Sequence, residues 1–221
     1  MASAVIHLCV AKKVNEYLEM DEEILLLGSI APDISKLVGE TKFASHFLDG
    51  TTEDGIPNID RFLNKYQSEL NKPFEMGYLI HLLTDKYWFR DYIYKYIDRY
   101  AKEEQEKDLT YTAMKHLIYN DYTNLNIDLI DEYMIALDIF SNEIEYPKSI
   151  ITEIPINKLA LLVEKMGLII VASTTGNKIV FNLKDVNKFI EACTQKIIEE
   201  IKAINKSWNK NIRRKYVKKS S

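Results

Sequence analysis

Turn-forming residues are sparse in this chain, and their scarcity limits what it can fold into. Only seven glycines and five prolines occur among 221 residues, with amphipathic stretches between them. A fold of many short strands needs frequent turns, and glycine and proline supply the backbone angles of such turns. The pattern therefore predicts an all-α protein, a multi-helix bundle, and a hydrophobic content of 47% is enough for one buried core. Residues 179–181 have strand-like character, but one short segment does not make a sheet.

Capping residues and prolines indicate where the helices begin and end. Ser, Asp and Asn side chains favour helix starts, and proline favours the first turn over the interior. The predicted helices span about 3–18, 21–27, 58–70, 73–101, 108–140, 156–172 and 185–207. Pro32 should end the helix over 21–27, and Asp108 should precede the helix over 108–140. A kink is expected within that helix at 120–124. Residues 34–56 are expected to be irregular.

A single helical domain is expected over residues 1–205, followed by a basic tail at 206–221. From Lys202 to Ser221 there are eight basic residues and no acidic one. Such a tail could contact an anionic surface, and the other interpretation is a solvated chain end.

Charge, hydropathy and cysteine content argue against several classes of protein, although the basic tail leaves nucleic-acid binding open. The formal net charge of −4 gives little electrostatic support for nucleic-acid binding by the folded part. No secretory signal and no apolar run near the roughly 20 residues of a membrane span can be recognised, which predicts a cytoplasmic protein without stable membrane insertion. Cys9 and Cys193 are lone thiols, so a metal site would depend on histidine and carboxylate ligands.

The segment from Gly77 to Asp85 carries the most informative chemistry. It has a helical pattern, and His81 and Asp85 lie four residues apart on one face. An imidazole nitrogen and a carboxylate oxygen are a common ligand pair for hydrolytic zinc. Gly77 lies one turn before His81 and has no side chain, so another backbone could approach there.

Other polar residues could join this pair. His7 lies on the first predicted helix, Asp33 follows Pro32 in a break, and His46 lies in a loop. Together with His81 and Asp85 they suit two divalent ions that share one carboxylate, the arrangement of many phosphoester hydrolases. The alternative is structural: Asp85 could be the hydrogen-bond partner of a core histidine, and Asp33 could be a helix cap. Composition and spacing leave both interpretations open.

Several other sites are not supported by the sequence. No histidine is directly followed by Asp, no Glu-x-x-His or His-Glu-x-x-His occurs, and no Gly-x-Ser-x-Gly or phosphate-binding glycine loop is present. These absences leave the histidine and aspartate residues described above as the candidate metal site.

The order of these motifs resembles the zinc-dependent phospholipase C family, whose all-helical fold is shared with fungal zinc nucleases that act on single strands. The resemblance rests on His7, Gly28-Ser29-Ile30-Ala31-Pro32-Asp33, Ser45-His46-Phe47 and Gly77-Tyr78-Leu79-Ile80-His81-Leu82-Leu83-Thr84-Asp85. It implies a polymetal zinc site that hydrolyses phosphodiester or phosphomonoester bonds. The implied ligands are His7, Asp33, His46, His81 and Asp85. Asp85 would bridge two ions, Asp33 would be a ligand or the base that activates water, and these two carboxylates would be the catalytic residues.

The chain also departs from the family pattern. Secreted members use the mature N-terminal residue as a ligand, and their later His-x-x-x-Glu motif is not reproduced here. His116 is followed four residues later by Asn120, and Asp121 comes next, in a form similar to that of small bacterial relatives. The resemblance therefore implies two zinc ions, with His116 and Asp121 as candidates for a further position, mainly within residues 1–125. Manganese and iron are the other metals that such ligands accept.

These observations predict a zinc-dependent phosphoester hydrolase, with a phospholipid among its candidate substrates. The alternative function is a helical binding protein that retains a structural or vestigial metal site without catalysis. Tyr78, Trp88 and Tyr92 could line a substrate pocket, and the other interpretation is that they belong to the core or its rim.

Overall fold

The computed structural model describes residues 2–50, 55–105, 109–140 and 145–217, with side chains as far as Ser207. Across these ranges the regular structure is helical and no strand occurs, which confirms the all-α prediction. The α-helices are α1 (Ala4–Leu18), α2 (Glu22–Ile30), α3 (Lys42–Ser45), α4 (Ile59–Tyr66), α5 (Pro73–Tyr87), α6 (Ile93–Glu103), α7 (Tyr111–Glu132), α8 (Leu159–Val171) and α9 (Leu183–Val217). None of these helices combines the length and apolar composition that crossing a bilayer requires.

The predicted caps of α1, α2 and α4 are confirmed. Ser3, Asp21 and Asn58 each accept a hydrogen bond from the backbone N–H three residues further on. These side chains satisfy an amide that the first helical turn leaves without a partner. Thr110 caps α7 in the same way, whereas Asp108 lies outside the described residues.

The segment around Pro32 is more helical than expected. α2 continues to Ile30, and a 3-10 turn, Ala31–Leu37, follows it directly with Pro32 in its first positions. Proline fits there because the first turn of a helix leaves its amides unpaired in any case. The α-helix therefore ends beside Pro32 as predicted, but Ala31 keeps helical backbone angles, and with α3 the described part of 34–56 is partly helical and not irregular.

Other limits also differ from prediction. The expected helix over 73–101 is interrupted by a π-helical turn at Trp88–Tyr92 and resumes as α6. α7 runs without interruption through 120–124 and ends at Glu132, and a separate 3-10 turn at Leu137–Phe140 follows it. α9 reaches Val217, beyond the predicted end.

α5 is the central helix, and it contacts α1, α2, α4 and α9. Nearly all of its side chains are buried. Its crossing with α2 is very close: a Cβ atom on Gly77 would lie 2.1 Å from the Leu25 carbonyl oxygen. A Cβ atom on Gly28 would lie 2.2 Å from the Phe74 carbonyl oxygen. The two backbones therefore touch one turn before His81, as the prediction for Gly77 required.

Candidate metal centre

Three of the predicted ligands meet where α1 packs beside α5. The imidazole rings of His7 and His81 stack with centroids 3.8 Å apart and planes 8° from parallel. His7 Nε2 lies 3.4 Å from Asp85 Oδ1, and His81 Nε2 lies 3.6 Å from Asp85 Oδ2. All three side chains are buried, and together they could hold a metal ion.

A second group lies beside the first and shares His81 with it. The 3-10 turn after α2 supplies Asp33, and the residue that ends α3 supplies His46. His46 Nε2 is 3.6 Å from Asp33 Oδ1 and 3.1 Å from His81 Nε2. The same atom is 3.8 Å from Asp85 Oδ2, so the two oxygens of Asp85 face different groups. The structure thus brings together the five side chains that the resemblance implied as ligands.

The ring of His81 is oriented by a carbonyl group. Its Nδ1 lies 2.7 Å from the backbone oxygen of Ser29. A carbonyl oxygen can only accept, so Nδ1 carries the hydrogen and Nε2 presents its lone pair to the centre. Fixing the tautomer of a metal-binding histidine through its other nitrogen is a common feature of metal sites.

Hydroxyl groups hold the Nδ1 side of His46. The Ser35 hydroxyl donates to the Pro32 carbonyl oxygen at 3.4 Å, and Ser45 Oγ lies 3.2 Å from Ser35 Oγ. Ser45 Oγ also lies 2.9 Å from His46 Nδ1, and these contacts fix the orientation of the ring.

The Nε2 atoms of His46 and His81 face each other at 3.1 Å. Because Nε2 of His81 presents a lone pair, this contact needs a hydrogen on His46 Nε2 or a metal cation beside the two rings. Other atoms of the centre have no hydrogen-bond partner among the described residues: both ring nitrogens of His7 and Asp85 Oδ2. Buried polar atoms are rarely left in this state, and these are all atoms that bind zinc. The residues present therefore fit a divalent metal.

Two contacts on the carboxylates involve groups outside the predicted set. The backbone N–H of Ala2 donates to Asp85 Oδ1 at 2.9 Å. The ammonium group of Lys36 lies 3.0 Å from Asp33 Oδ1, three residues along the same 3-10 turn. The i, i+3 spacing of Asp33 and Lys36 was visible in the sequence, but it becomes informative only once the turn is known to be helical.

The electrostatic environment favours the ligand forms of these side chains. Burial opposes ionisation of Asp33 and Asp85, but the Lys36 ammonium beside Asp33 and the His7 ring beside Asp85 outweigh it and hold both pKa values below the usual range. Burial lowers the pKa of His81 and of His46, and the His7 ring adds to the lowering at His81. Ionised carboxylates and neutral imidazoles at neutral pH are the forms that bind metal.

The structure does not bring His116 and Asp121 into this centre, which corrects the prediction of a further metal position there. His116 is exposed on α7, and neither residue belongs to the two groups. Asp121 is fully buried and accepts hydrogen bonds from the backbone amides of Ile179, Val180 and Phe181 at 2.7, 2.6 and 3.2 Å. Its oxygens accept hydrogen bonds from the segment that leads into α9, where residues 179 and 180 form a bend and not a strand.

The aromatic residues of α5 and the turn after it favour the core interpretation. Tyr78 and Trp88 are fully buried, and the Tyr78 hydroxyl donates to the Ser45 carbonyl oxygen. Tyr92 packs edge-on against Phe189 with ring centroids 4.7 Å apart. None of the three predicted residues lines the cavity that adjoins the centre.

That cavity, here called the α7–α8 cavity, has a volume of about 330 Å³. It lies between the start of α1, the 3-10 turn after α2, and the facing sides of α7 and α8. Asp33 is the one member of the two ligand groups that lines it, so the cavity gives access to the centre from the Asp33 side. The sequence carried no signal for this cavity, because its walls come from segments far apart in the chain.

No protein-family model, no curated protein and no solved structure matches this chain. The geometry and chemistry of the centre are therefore the basis for its proposed function.

Proposed function

We propose that this protein is a metal-dependent hydrolase of phosphoester bonds, with zinc as its metal. The observation that carries the proposal is that both ring nitrogens of His7 and Oδ2 of Asp85 are buried without a hydrogen-bond partner among the described residues. They lie beside the Nε2 atoms of His46 and His81, which are 3.1 Å apart. Five buried donors from four separate segments suit two ions better than one. The resemblance of the motif order to the zinc-dependent phospholipase C family supports the same proposal, including that type of fold.

Each residue has a distinct role in this proposal. His7, His46 and His81 would hold zinc through nitrogen atoms, and Asp85, whose two oxygens face different groups, would be shared between two ions. Bound zinc supplies a water of lowered pKa and positive charge that stabilises the phosphoryl oxygens. Asp33 lies at the boundary with the α7–α8 cavity, so its carboxylate is the group that would meet the substrate and orient a water molecule.

Lys36 gives the cavity side of the centre a positive charge. Burial disfavours its ammonium form, but the Asp33 carboxylate outweighs this and raises the pKa of Lys36. A cation in this position would attract the anionic phosphoryl group of a substrate. The ion pair with Asp33 keeps the Lys36 ammonium group directed at the centre. A phosphoester is therefore the proposed substrate, and phospholipid is one candidate within that class.

The test compares two histidine variants on the same protein. We expect wild-type protein to bind zinc and to hydrolyse bis(4-nitrophenyl) phosphate in a chelator-sensitive manner. His81→Ala should lose bound zinc and nearly all turnover, because it removes a donor common to both groups. His116→Ala is the matched control: that side chain is exposed and outside both groups, so zinc content and turnover should be unchanged. Wild-type protein without bound metal or without chelator-sensitive turnover would contradict the proposal.

A second candidate is a helical binding protein in which the metal is structural. One observation favours it: apart from Asp33, the candidate ligands are at most 1% exposed, and closed sites are typical of structural zinc. Asp33→Asn separates the two functions, because it changes the residue at the cavity and keeps the side-chain shape. Lost turnover with native fold and retained zinc supports the enzyme. Zinc-dependent folding without turnover in either protein supports the structural role.

A further inference from the structure

The α7–α8 cavity has one apolar wall and one polar edge. Side chains of α8, among them Leu162, Met166 and Ile170, form part of its wall. Lys36 and Lys165 also line it, and Lys165 is exposed on α8. The cavity volume of about 330 Å³ lies at the lower end of the range for small-molecule sites. This combination suits an anionic molecule whose uncharged part is small and mostly apolar.

One side chain that lines this cavity has a buried oxygen atom without a hydrogen-bond partner among the described residues. Asn126 lines the cavity from α7, is 4% exposed, and its Oδ1 has no hydrogen-bond partner among the described residues. The orientation of its amide group follows from its neighbours. The Ser173 hydroxyl donates to the Ile169 carbonyl oxygen at 2.8 Å, so Ser173 Oγ can only accept from Asn126 Nδ2, 2.9 Å away. Oδ1 is thereby fixed as an acceptor that needs a donor.

We propose that the α7–α8 cavity binds the organic group of the substrate and that Asn126 determines its specificity. The ligand is a small phosphate ester whose apolar group carries a hydroxyl or N–H donor. The phosphoryl group lies towards Asp33 and Lys36, the apolar part lies against α8, and the donor binds Asn126 Oδ1. The assignment of the phosphoryl end rests on the proposed function, whereas the Asn126 contact rests on the cavity alone.

A site built to hydrogen-bond a ligand donor discriminates against analogues that lack it. Such an analogue leaves the buried acceptor unpaired, and this loss exceeds what a missing apolar contact costs. The organic group is therefore expected to be selected by its donor as well as by its size.

The test measures binding of non-hydrolysable phosphonates by titration calorimetry, so that it does not depend on turnover. The probes are butyl-, hexyl- and octylphosphonate, their ω-hydroxy analogues, and ω-methoxy analogues that contain the oxygen without a donor. In wild-type protein at least one ω-hydroxy compound should bind about tenfold more tightly than its alkyl and methoxy counterparts. Zinc-loaded and metal-free protein are both measured.

Asn126→Leu keeps the side-chain size and removes the acceptor, so the preference for the hydroxy compound should disappear. Asn120→Leu, at an exposed position of the same helix, is the control and should retain it. Equal binding of the three compounds in wild-type protein, or binding of none, overturns the proposal, and neither result requires a variant that folds. Donor-selective binding to a protein without turnover would instead refute the hydrolase while leaving the cavity site in place.

Discussion

Asp85 and Asp121 are both buried carboxylates, yet their surroundings give them different roles. Asp121 receives three backbone amides, which satisfy its oxygens within the protein. Asp85 has imidazole nitrogens on two sides, and its Oδ2 has no hydrogen-bond partner among the described residues. A carboxylate oxygen that already accepts hydrogen bonds from amides binds a cation weakly. An oxygen without a hydrogen-bond partner is available to bind one. The same residue type therefore anchors a loop in one place and contributes to a candidate metal centre in the other.

Replacing Asp121 tests this distinction. Asp121→Ala should lower the free energy of unfolding by about 3 kcal/mol, because it leaves buried amides near residues 179–181 without an acceptor. The zinc content of the folded protein should not change. Urea unfolding and metal analysis measure the two effects, with Asp131→Ala, exposed on the same helix, as the control. A folded Asp121→Ala protein with less zinc would show that the carboxylate belongs to the centre after all.

At the level of elements, the crossing of α2 and α5 sets the position of the centre. Gly28 and Gly77 let the two backbones touch, and the same crossing places the Ser29 carbonyl oxygen 2.7 Å from His81 Nδ1. The 3-10 turn that leaves α2 then carries Asp33 back towards α5. A change in the separation of these two helices would therefore move both the carbonyl oxygen that orients His81 and the carboxylate of Asp33.

Two glycine substitutions test the crossing. Gly77→Ala would place a methyl group 2.1 Å from the Leu25 backbone oxygen, so the helices must separate, at a cost of at least about 2 kcal/mol in stability. Zinc affinity should also decrease. Gly167→Ala is the matched control in α8: its new Cβ would meet Phe140 at 3.5 Å, and alanine favours a helix by up to about 1 kcal/mol. Urea unfolding of both variants gives the comparison, and equal stability would mean that the close contact is unimportant.

For the molecule as a whole, the centre joins segments that are distant in sequence. α1, the 3-10 turn after α2, the end of α3 and the middle of α5 each contribute at least one candidate ligand. In the unfolded chain these donors are dispersed, so a metal that requires them together binds the folded state and stabilises it. The gain in the free energy of unfolding depends on the ratio of the free metal concentration to the dissociation constant of the site.

Thermal unfolding measures this coupling. Zinc at about a thousand times its dissociation constant should add about 4 kcal/mol, which raises the Tm by roughly 10 °C for a chain of this length. A chelator should reverse the increase, and His81→Ala should abolish it while His116→Ala retains it. An unchanged Tm on addition of zinc to metal-free wild-type protein would argue against a site formed by the folded chain.

The helices and the types of ligand could be predicted from the sequence, because both depend on local information. A cap acts on an amide three residues away, and the i, i+4 spacing of His81 and Asp85 defines a shared face wherever the helix lies. The all-α class, three of the caps and the close approach at Gly77 were accordingly predicted correctly.

Which polar residues meet was decided by tertiary structure alone. Asp33 and Asp121 are both buried aspartates, and only the folded chain shows that one faces imidazole rings and the other faces backbone amides. The unpaired oxygen of Asn126 likewise arises from packing between segments with no local relationship. Hydrogen bonding and coordination act over a few ångströms in space, and distance along the chain carries no information about them unless the residues share a helix or a turn.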